Sequence, residues 1–445
     1  MDIDRLRKRQ KANDGHGIFS KLTEPLISRI LSFLSTKDAV RTSVLSKKWR
    51  YRWTIVTKLD LNDSLLYSGK KTSAKQYFVN FVYRALLLTK CPSFESFSLA
   101  IANKYDVSLL NSWISSVLNW GVKNLRINSL HSDLPFSALT SHFLFNSINL
   151  EELVLEMYHC SIVVPTNYFY LGHLKFLKLN GITFTLEDSG CSESLKLSFP
   201  VLKEFETINC AWLIANGITV EAPLLERVFI DHYPEYLFSG PDKCAIKFSA
   251  SCLKEFTYHG HGDITQDVVL LDSSSANNAS ANIILYKDSY VETGTRVILL
   301  LKQLYQVLAQ SRVDFLPSFN MLSHLELGLV TWEVLLGLLQ KSPILKRLVF
   351  KGLSEFDPER LNFAIVPYCF VSSLQILKFG NVQGYEHELC LAKFMMENCL
   401  VLERMSFSLD SRFRESKALE EFKEKLLSFR KGSVNFAFVE FSYNY

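Results

Sequence analysis

The chain has 445 residues, 48% of them hydrophobic and 21% charged, which makes its bulk globular and not disordered and allows more than one structural unit around a large core. A net charge of +4 is small but unevenly spread: residues 1–58 hold 14 Lys/Arg against 5 Asp/Glu, and the remainder holds 35 against 40. The first part is therefore drawn to acidic surfaces, and the rest has no general affinity for polyanions.

In chain order, residues 1–17 read as a basic, disordered N-terminus. Within it "RLRKRQK" (5–11) is a solvated tail or, as the second reading, a nuclear-import signal. Residues 18–55 read as three short helices. Thr23 is placed as an N-cap, with Glu24 and Pro25 in the first turn. Leu26, Ile30 and Leu34 follow at helical spacing, with Ile27 and Leu31 beside them. "STKD" (35–38) restarts the chain with capping residues, and Val40, Val44 and Leu45 mark a second helix. Ser46 is placed to cap a third, with Trp49 and Trp53 on one face and Lys47, Lys48, Arg50 and Arg52 on others. About 40 residues with this much apolar surface cannot close a core alone, so the surplus must meet something else.

From residue 56 onward one pattern recurs: apolar-x-x-apolar-x-apolar. It is strongest in "NLEELVL" (Leu150, Leu153, Leu155), "HLKFLKL" (Leu174, Leu177, Leu179) and "LLERVFI" (Leu225, Val228, Ile230). It returns in "MLSHLEL" (Leu322, Leu325, Leu327), "ILKRLVF" (Leu345, Leu348, Phe350), "SLQILKF" (Leu374, Leu377, Phe379) and "VLERMSF" (Leu402, Met405, Phe407). Weaker copies start at Val56, Phe94, Val122, Leu202 (third position Thr207), Leu253 and Ala281, with a last one at Phe436. Most steps are 23 to 29 residues, the spacing of leucine-rich repeats. The second and third apolar residues are two apart and face the same side of a short strand. One such unit cannot bury its own apolar face; stacking does so.

Segments 107–121, 331–342, 388–399 and 416–429 have the spacing of return helices. "DSLLYSGKKTSAKQ" (63–76) and "LDSSSANNAS" (271–280) read as surface loops, and the 41-residue step after Ala281 as holding a long helix. The fold class is α/β: a helical unit followed by a solenoid with a curved parallel sheet and outer helices.

These residues resemble known families. Leu22, Leu26, Ile30-Leu31-Ser32, Leu34, Val44, Leu45-Ser46, Trp49-Arg50 and Trp53 match the F-box pattern in order and spacing, with Leu22-Thr23 where that family usually has Leu-Pro. "LSTKDAVRTSVLSKKWRYRW" (34–53) resembles the land-plant F-box proteins with leucine-rich repeats, and 369–407 resembles the FBD region that ends many of them. The organisation is then an F-box at 18–55, a leucine-rich-repeat solenoid at 56–365 and an FBD region continuing it at 366–445. The resemblance implies the substrate-recognition subunit of an SCF-type cullin–RING E3 ubiquitin ligase. Its F-box would dock on the small adaptor of the S-phase-kinase-associated protein family, and through it a cullin. Its repeats would capture a protein substrate for ubiquitination.

The docking face is placed on Leu22, Leu26, Ile30, Leu31, Leu34, Val44, Leu45 and Trp49, and Trp53 at the joint to the first repeat. Substrate contacts are placed on the exposed strand residues Glu152, Val154, Phe176, Lys178, Arg227, Phe229, Lys254, Glu255, Arg347, Val349, Gln375 and Lys378.

No phosphate loop, nucleophile elbow, zinc-protease motif or kinase set occurs, so the chain reads as a non-catalytic receptor with no cofactor. Nine cysteines, an odd number with no C-x-x-C pair, speak against a zinc site or disulfide scaffold and for reduced thiols in cytosol or nucleus. His259, His261 and Asp263 in "YHGHGD" are at most a weak metal motif beside the reading as a polar loop. The first residues do not form a signal peptide, and the longest apolar run, near residues 77–89, is broken by Arg84. Neither membrane nor nucleic acid is expected as a partner. Two other functions stay open: a repeat scaffold without a ligase role, and a nucleic-acid binder using residues 5–58.

Overall fold

Apolar residues three and then two positions apart set the architecture, because only parallel neighbours one repeat away can cover them. The computed structural model describes residues 22–66 (apart from Lys48), 71–89, 94–129, 144, 147–164, 168–186, 194–214, 217–232, 244–261, 267–271, 280–286, 319–320, 322–409, 417–433, 436 and 438–443. The chain divides into two compact units, residues 1–165 with 169–187, and 166–168 with 188–445.

The first unit opens with helices α1 (Glu24–Ser32) and α2 (Thr36–Arg41). The parallel strands β1 (Lys58–Asn62), β2 (Ser96–Ile101), β3 (Asn124–Ser129), β4 (Glu152–Val164) and β5 (Phe176–Leu186) follow, each hydrogen-bonded to the next. Register aligns Leu59, Phe97, Leu125, Leu153 and Leu177 in one row, and Leu61, Leu99, Ile127, Leu155 and Leu179 in the next; all are buried. Helix α3 (Lys71–Leu88) returns from β1, and α4 (Val107–Asn119) returns from β2. The Asp106 carboxylate caps α4 by accepting from Ser108 N–H. Its buried face, Leu110, Trp113, Ile114, Val117 and Leu118, covers the sheet. The residues 71–76, read from sequence as part of a loop, belong to α3. Phe78, Val82 and Ala85 repeat along its buried face, and Phe78 meets the Trp113 indole edge-on at 6.1 Å.

The second unit holds β6 (Leu195–Ser198), β7 (Glu204–Ile208), β8 (Ile218–Glu221), β9 (Arg227–Asp231), β10 (Cys244–Ser249), β11 (Glu255–His261), β12 (Asp267–Leu271), β13 (Ser280–Tyr286) and β14 (Leu322–Val330). It continues with α5 (Trp332–Lys341), β15 (Arg347–Leu353), α6 (Tyr368–Ser372), β16 (Ile376–Val382), α7 (Glu386–Asn398), β17 (Arg404–Leu409), α8 (Lys417–Ser428) and β18 (Phe438–Tyr443). Strands β7, β9, β11, β13, β14, β15, β16, β17 and β18 form its parallel ladder.

Here the cover differs from the expected helices. Between 195 and 271 the return segments are strands: β6, β8, β10 and β12 form a second parallel sheet. "LKLS", "ITVE" and "IKFS" alternate with period two and are too short for a helix, so they pair with one another instead. Phe205 of β7 and Phe248 of β10 pack edge-on at 5.3 Å where the two sheets meet.

The first-position leucine of every strong repeat copy is buried, as are the apolar residues in the second and third positions. Thr207, the polar third position, is buried too. In the last four copies the third position is aromatic. Phe350 meets Phe379 edge-on at 4.6 Å, and Phe379, Phe407 and Phe441 then stack in series at 4.8 and 5.7 Å.

One copy is misregistered in the sequence reading. Ala281 pairs with Phe256, the second position of the preceding copy, and does not open a repeat. Its small side chain sits beside a register shift toward β14. The return helices of 107–121, 331–342, 388–399 and 416–429 appear as α4, α5, α7 and α8. Residues 1–17, 272–279 and 287–310, with the tail, most of the second loop and the long helix placed there, lie outside the described residues.

Candidate adaptor-docking surface

Residues 22–55 separate their apolar side chains into two sets. The inner set is Ile27, Leu31, Ala39, Trp49 and Trp53. The outer set is Leu26 (49% exposed), Ile30, Phe33, Leu34, Val44 (86% exposed), Leu45, Tyr51 and Ile55. On α1 the division follows helical geometry: Ile27 and Leu31 are one turn apart and face inward, while Leu26 and Ile30 lead outward toward Leu34.

The caps differ in detail. Thr23 occupies the N-cap position of α1 with Pro25 in the first turn, but its side chain makes no capping bond; Ile27 N–H donates to Thr23 C=O at 3.0 Å. At α2 the Ser35 hydroxyl accepts from Asp38 N–H at 3.2 Å and donates to the Asp38 carboxylate at 2.9 Å.

The third segment is not an α-helix. A turn leads into the 3-10 helix Arg52–Ile55, closed by i to i−3 bonds from Trp49 N–H to Ser46 C=O and from Arg52 N–H to Trp49 C=O, at 3.0 and 3.1 Å. The tighter winding still turns both indoles inward: Trp49 is 1% exposed and Trp53 6%. The cations Lys47 and Arg50 stay in water, and Arg52 pairs with Glu24 at 2.6 Å, tying this turn to the start of α1.

Of the docking residues expected from sequence, Leu26, Ile30, Leu34, Val44 and Leu45 lie on the exposed surface, and Leu22 is half-buried. Leu31 and Trp49 do not; each is 1% exposed and belongs to the small core that holds the other five in place. Phe33, Tyr51 and Ile55 are exposed apolar neighbours that the sequence reading passed over. The signal for Phe33 was present, since it continues the exposed stripe of α1 by one turn from Ile30.

The unit is fixed to the first repeat through Thr36, whose buried hydroxyl accepts from Asp60 N–H of β1 at 2.7 Å. At the far end of β1 the buried Asp63 carboxylate accepts from Ala102 N–H (2.7 Å), Asn103 Nδ2 (2.9 Å) and Tyr105 Oη (3.2 Å).

On the open face of the ladders, side chains alternate with the buried leucines. Glu152, Phe176, Lys178, Arg227, Phe229, Glu255, Arg347 and Lys378 are exposed or half-buried there. Val154 and Val349 are buried, 4% and 5% exposed, between long neighbours on adjacent strands. Lys254 and Gln375 precede their strands and lie in the turns. His259 and His261 stand in β11 and not in a loop; His259 Nδ1 lies 3.6 Å from the buried Asp231 carboxylate. Asp263 is outside the described residues, and among those described no three His, Cys, Asp or Glu side chains converge as metal ligands. Cys369 and Cys399 are buried free thiols, and burial pushes Cys369 up to about 12, far from a reactive thiolate. No helix among the described residues is long and apolar enough to cross a membrane.

A helical unit with an exposed apolar face, carried on a ladder of leucine-rich repeats, defines the class of a docking module joined to a recognition module. Comparison with known families agrees with this. Residues 19–60 match the F-box domain and residues 364–407 match the FBD family. An F-box/FBD/LRR-repeat protein of Arabidopsis thaliana is 29% identical over 428 residues, covering 93% of this chain and 92% of the relative. An F-box/LRR-repeat protein of the same plant is 28% identical, covering 87% of each. The chain carries an F-box domain and an FBD region and is similar along most of its length to plant F-box/leucine-rich-repeat proteins. At the level of that family, an F-box supports a substrate-adaptor role in SCF-type ligases through an Skp1-like partner, and F-box proteins are generally non-catalytic.

Proposed function

We propose that this chain is the substrate-recognition subunit of an SCF-type cullin–RING ubiquitin ligase, acting in the nucleus, the cytoplasm or both, with a protein substrate held by the open face of its repeats. The observation that carries the reading is the exposed apolar set Leu26, Ile30, Leu34, Val44 and Leu45, held out by an inner core of Ile27, Leu31, Trp49 and Trp53. Removing such side chains from water is favourable by about 25 cal/mol per Å² before the entropy of association is subtracted. The exposed cations Arg29, Arg41, Lys47 and Arg50 around that set favour an acidic adaptor by steering and rim contacts. The chain supplies proximity: a charged conjugating enzyme and a substrate lysine are brought together, and the bond-making groups lie on other subunits.

The test is adaptor pull-down with Leu26→Asp/Ile30→Asp. Both side chains face outward, so the variant should fold with an unchanged unfolding midpoint and lose adaptor binding. Retained binding refutes the docking face and leaves the repeat-scaffold reading.

A further inference from the structure

The open face of the second unit is divided by charge. Strands β7, β9 and β11 present Glu204, Glu206 and Glu255 against Arg227, with the Asp231 carboxylate buried behind them. Strands β14 to β17 present Arg347, Lys351, Lys378 and Arg404 against Glu326. Within this basic stretch lies a hollow of about 340 Å³, lined in part by Glu326, Arg347, Lys351, Lys378, Asn381 and Ser408. That size suits a small ligand or one long side chain.

The hollow has a local cause in the backbone. Pairing of β15 with β16 ends at Phe350 and Phe379, and the register of β16 against β17 shifts between Phe379 and Val382. Gly380 and Asn381 together stand opposite the single residue Ser408. Asn381 takes φ of 50°, in the left-handed region that asparagine tolerates better than most residues. Gly380 lets β16 close on β15: a Cβ there would lie 2.9 Å from Lys351 Cα. Val349 forms part of the floor.

The charges inside are not balanced. Glu326 pairs with Lys351 at 3.2 Å, and Arg404, which does not line the hollow, pairs with Glu440 at 3.8 Å. Arg347 and Lys378 have no carboxylate within ion-pair distance among the described residues. They stand diagonally across the β15–β16 pair, on either side of Val349. A guanidinium, an ammonium and the neighbouring Ser408 and Asn381 side chains form a donor set for a tetrahedral dianion, whose several oxygens accept from different directions.

We propose that this hollow binds a phosphate monoester, either free or carried on a side chain; the site is independent of the ligase reading. The experiment is calorimetric titration of the purified full-length chain with inorganic phosphate, O-phosphoserine, a short phosphoserine peptide and acetate. One saturable phosphate site per chain is expected, with acetate much weaker. Arg347→Gln and Lys378→Gln should each weaken phosphate binding about tenfold or more. Glu326→Gln should tighten it several-fold, a gain that a misfolded variant cannot produce. Arg404→Gln should change it by less than about twofold.

Tighter binding of the peptide than of inorganic phosphate would assign the occupant to a phosphorylated side chain, and equal or weaker binding to a free phosphate compound; both support the site. No saturable binding overturns the proposal. So does acetate binding as well as phosphate, an equal loss in Arg404→Gln, or no gain in Glu326→Gln.

Discussion

The F-box and the repeat ladder use the same apolar residues and treat them in opposite ways. In the ladder Leu348 and Leu377 are wholly buried, because each strand has a neighbour on both sides to cover it. In the F-box Leu26, Leu45 and Val44 are 49%, 48% and 86% exposed, because a unit this small has room inside for only a few large side chains. Both indoles take inner places beside Ile27 and Leu31, and the remaining large apolar side chains are left outside. Exposure of leucine and valine in one region, beside their complete burial in another, marks a surface awaiting a partner.

That contrast has measurable consequences. Trp49→Ala is expected to have the largest effect, about 3–5 kcal/mol of lost stability, because it empties the F-box core; adaptor binding falls with it. Local loss of protection in hydrogen exchange at residues 24–55, with the ladder unchanged, would confirm that the F-box core is separate.

Leu348→Ala should cost about 2–5 kcal/mol in denaturant unfolding, since it removes a fully buried side chain from the middle of a ladder, and should leave adaptor binding intact. An equal effect on both readouts would erase the distinction between the two regions.

The ladder also carries an acid-sensitive position that the exposed F-box face lacks. Burial lowers His232 to about 4 from 6.5, with Asp231 opposing in part. The unfolded chain therefore takes up the proton first as pH falls. The contribution of His232 to stability is constant above 6.5 and falls by roughly 3 kcal/mol between 6.5 and 4. His232→Gln should flatten that limb of the pH–stability curve.

The smallest stability effect belongs to Leu26→Ala, expected within about 0.5 kcal/mol of the parent because the side chain is half in water. Its effect on adaptor binding should nonetheless be clear, and a stability loss above 2 kcal/mol would show that Leu26 is part of the core.

Much of this could be read in advance. The leucines at 150, 174, 225, 322, 345, 374 and 402 announced the strands, since a period near 28 with two in-phase apolar residues has one economical solution. Helices α4, α5, α7 and α8 followed from spacing alone. The second sheet was harder to see. Segments such as "ITVE" are too short for periodicity to separate a covering strand from a loop. At Ala281 the apolar template was satisfied by the wrong residues, because a bulge displaces the register there and a three-position pattern does not detect a bulge.

What the amino-acid sequence determined by itself was the repeat, its strands, and the presence of a helical unit with more apolar surface than it can hide. These are properties of spacing, and spacing is local. Tertiary structure alone decided which side of that unit each residue takes, turning Leu31 and Trp49 inward and leaving Leu26 and Val44 out. It alone opened the hollow at Gly380 and Asn381, because burial and strand register depend on neighbours distant along the chain.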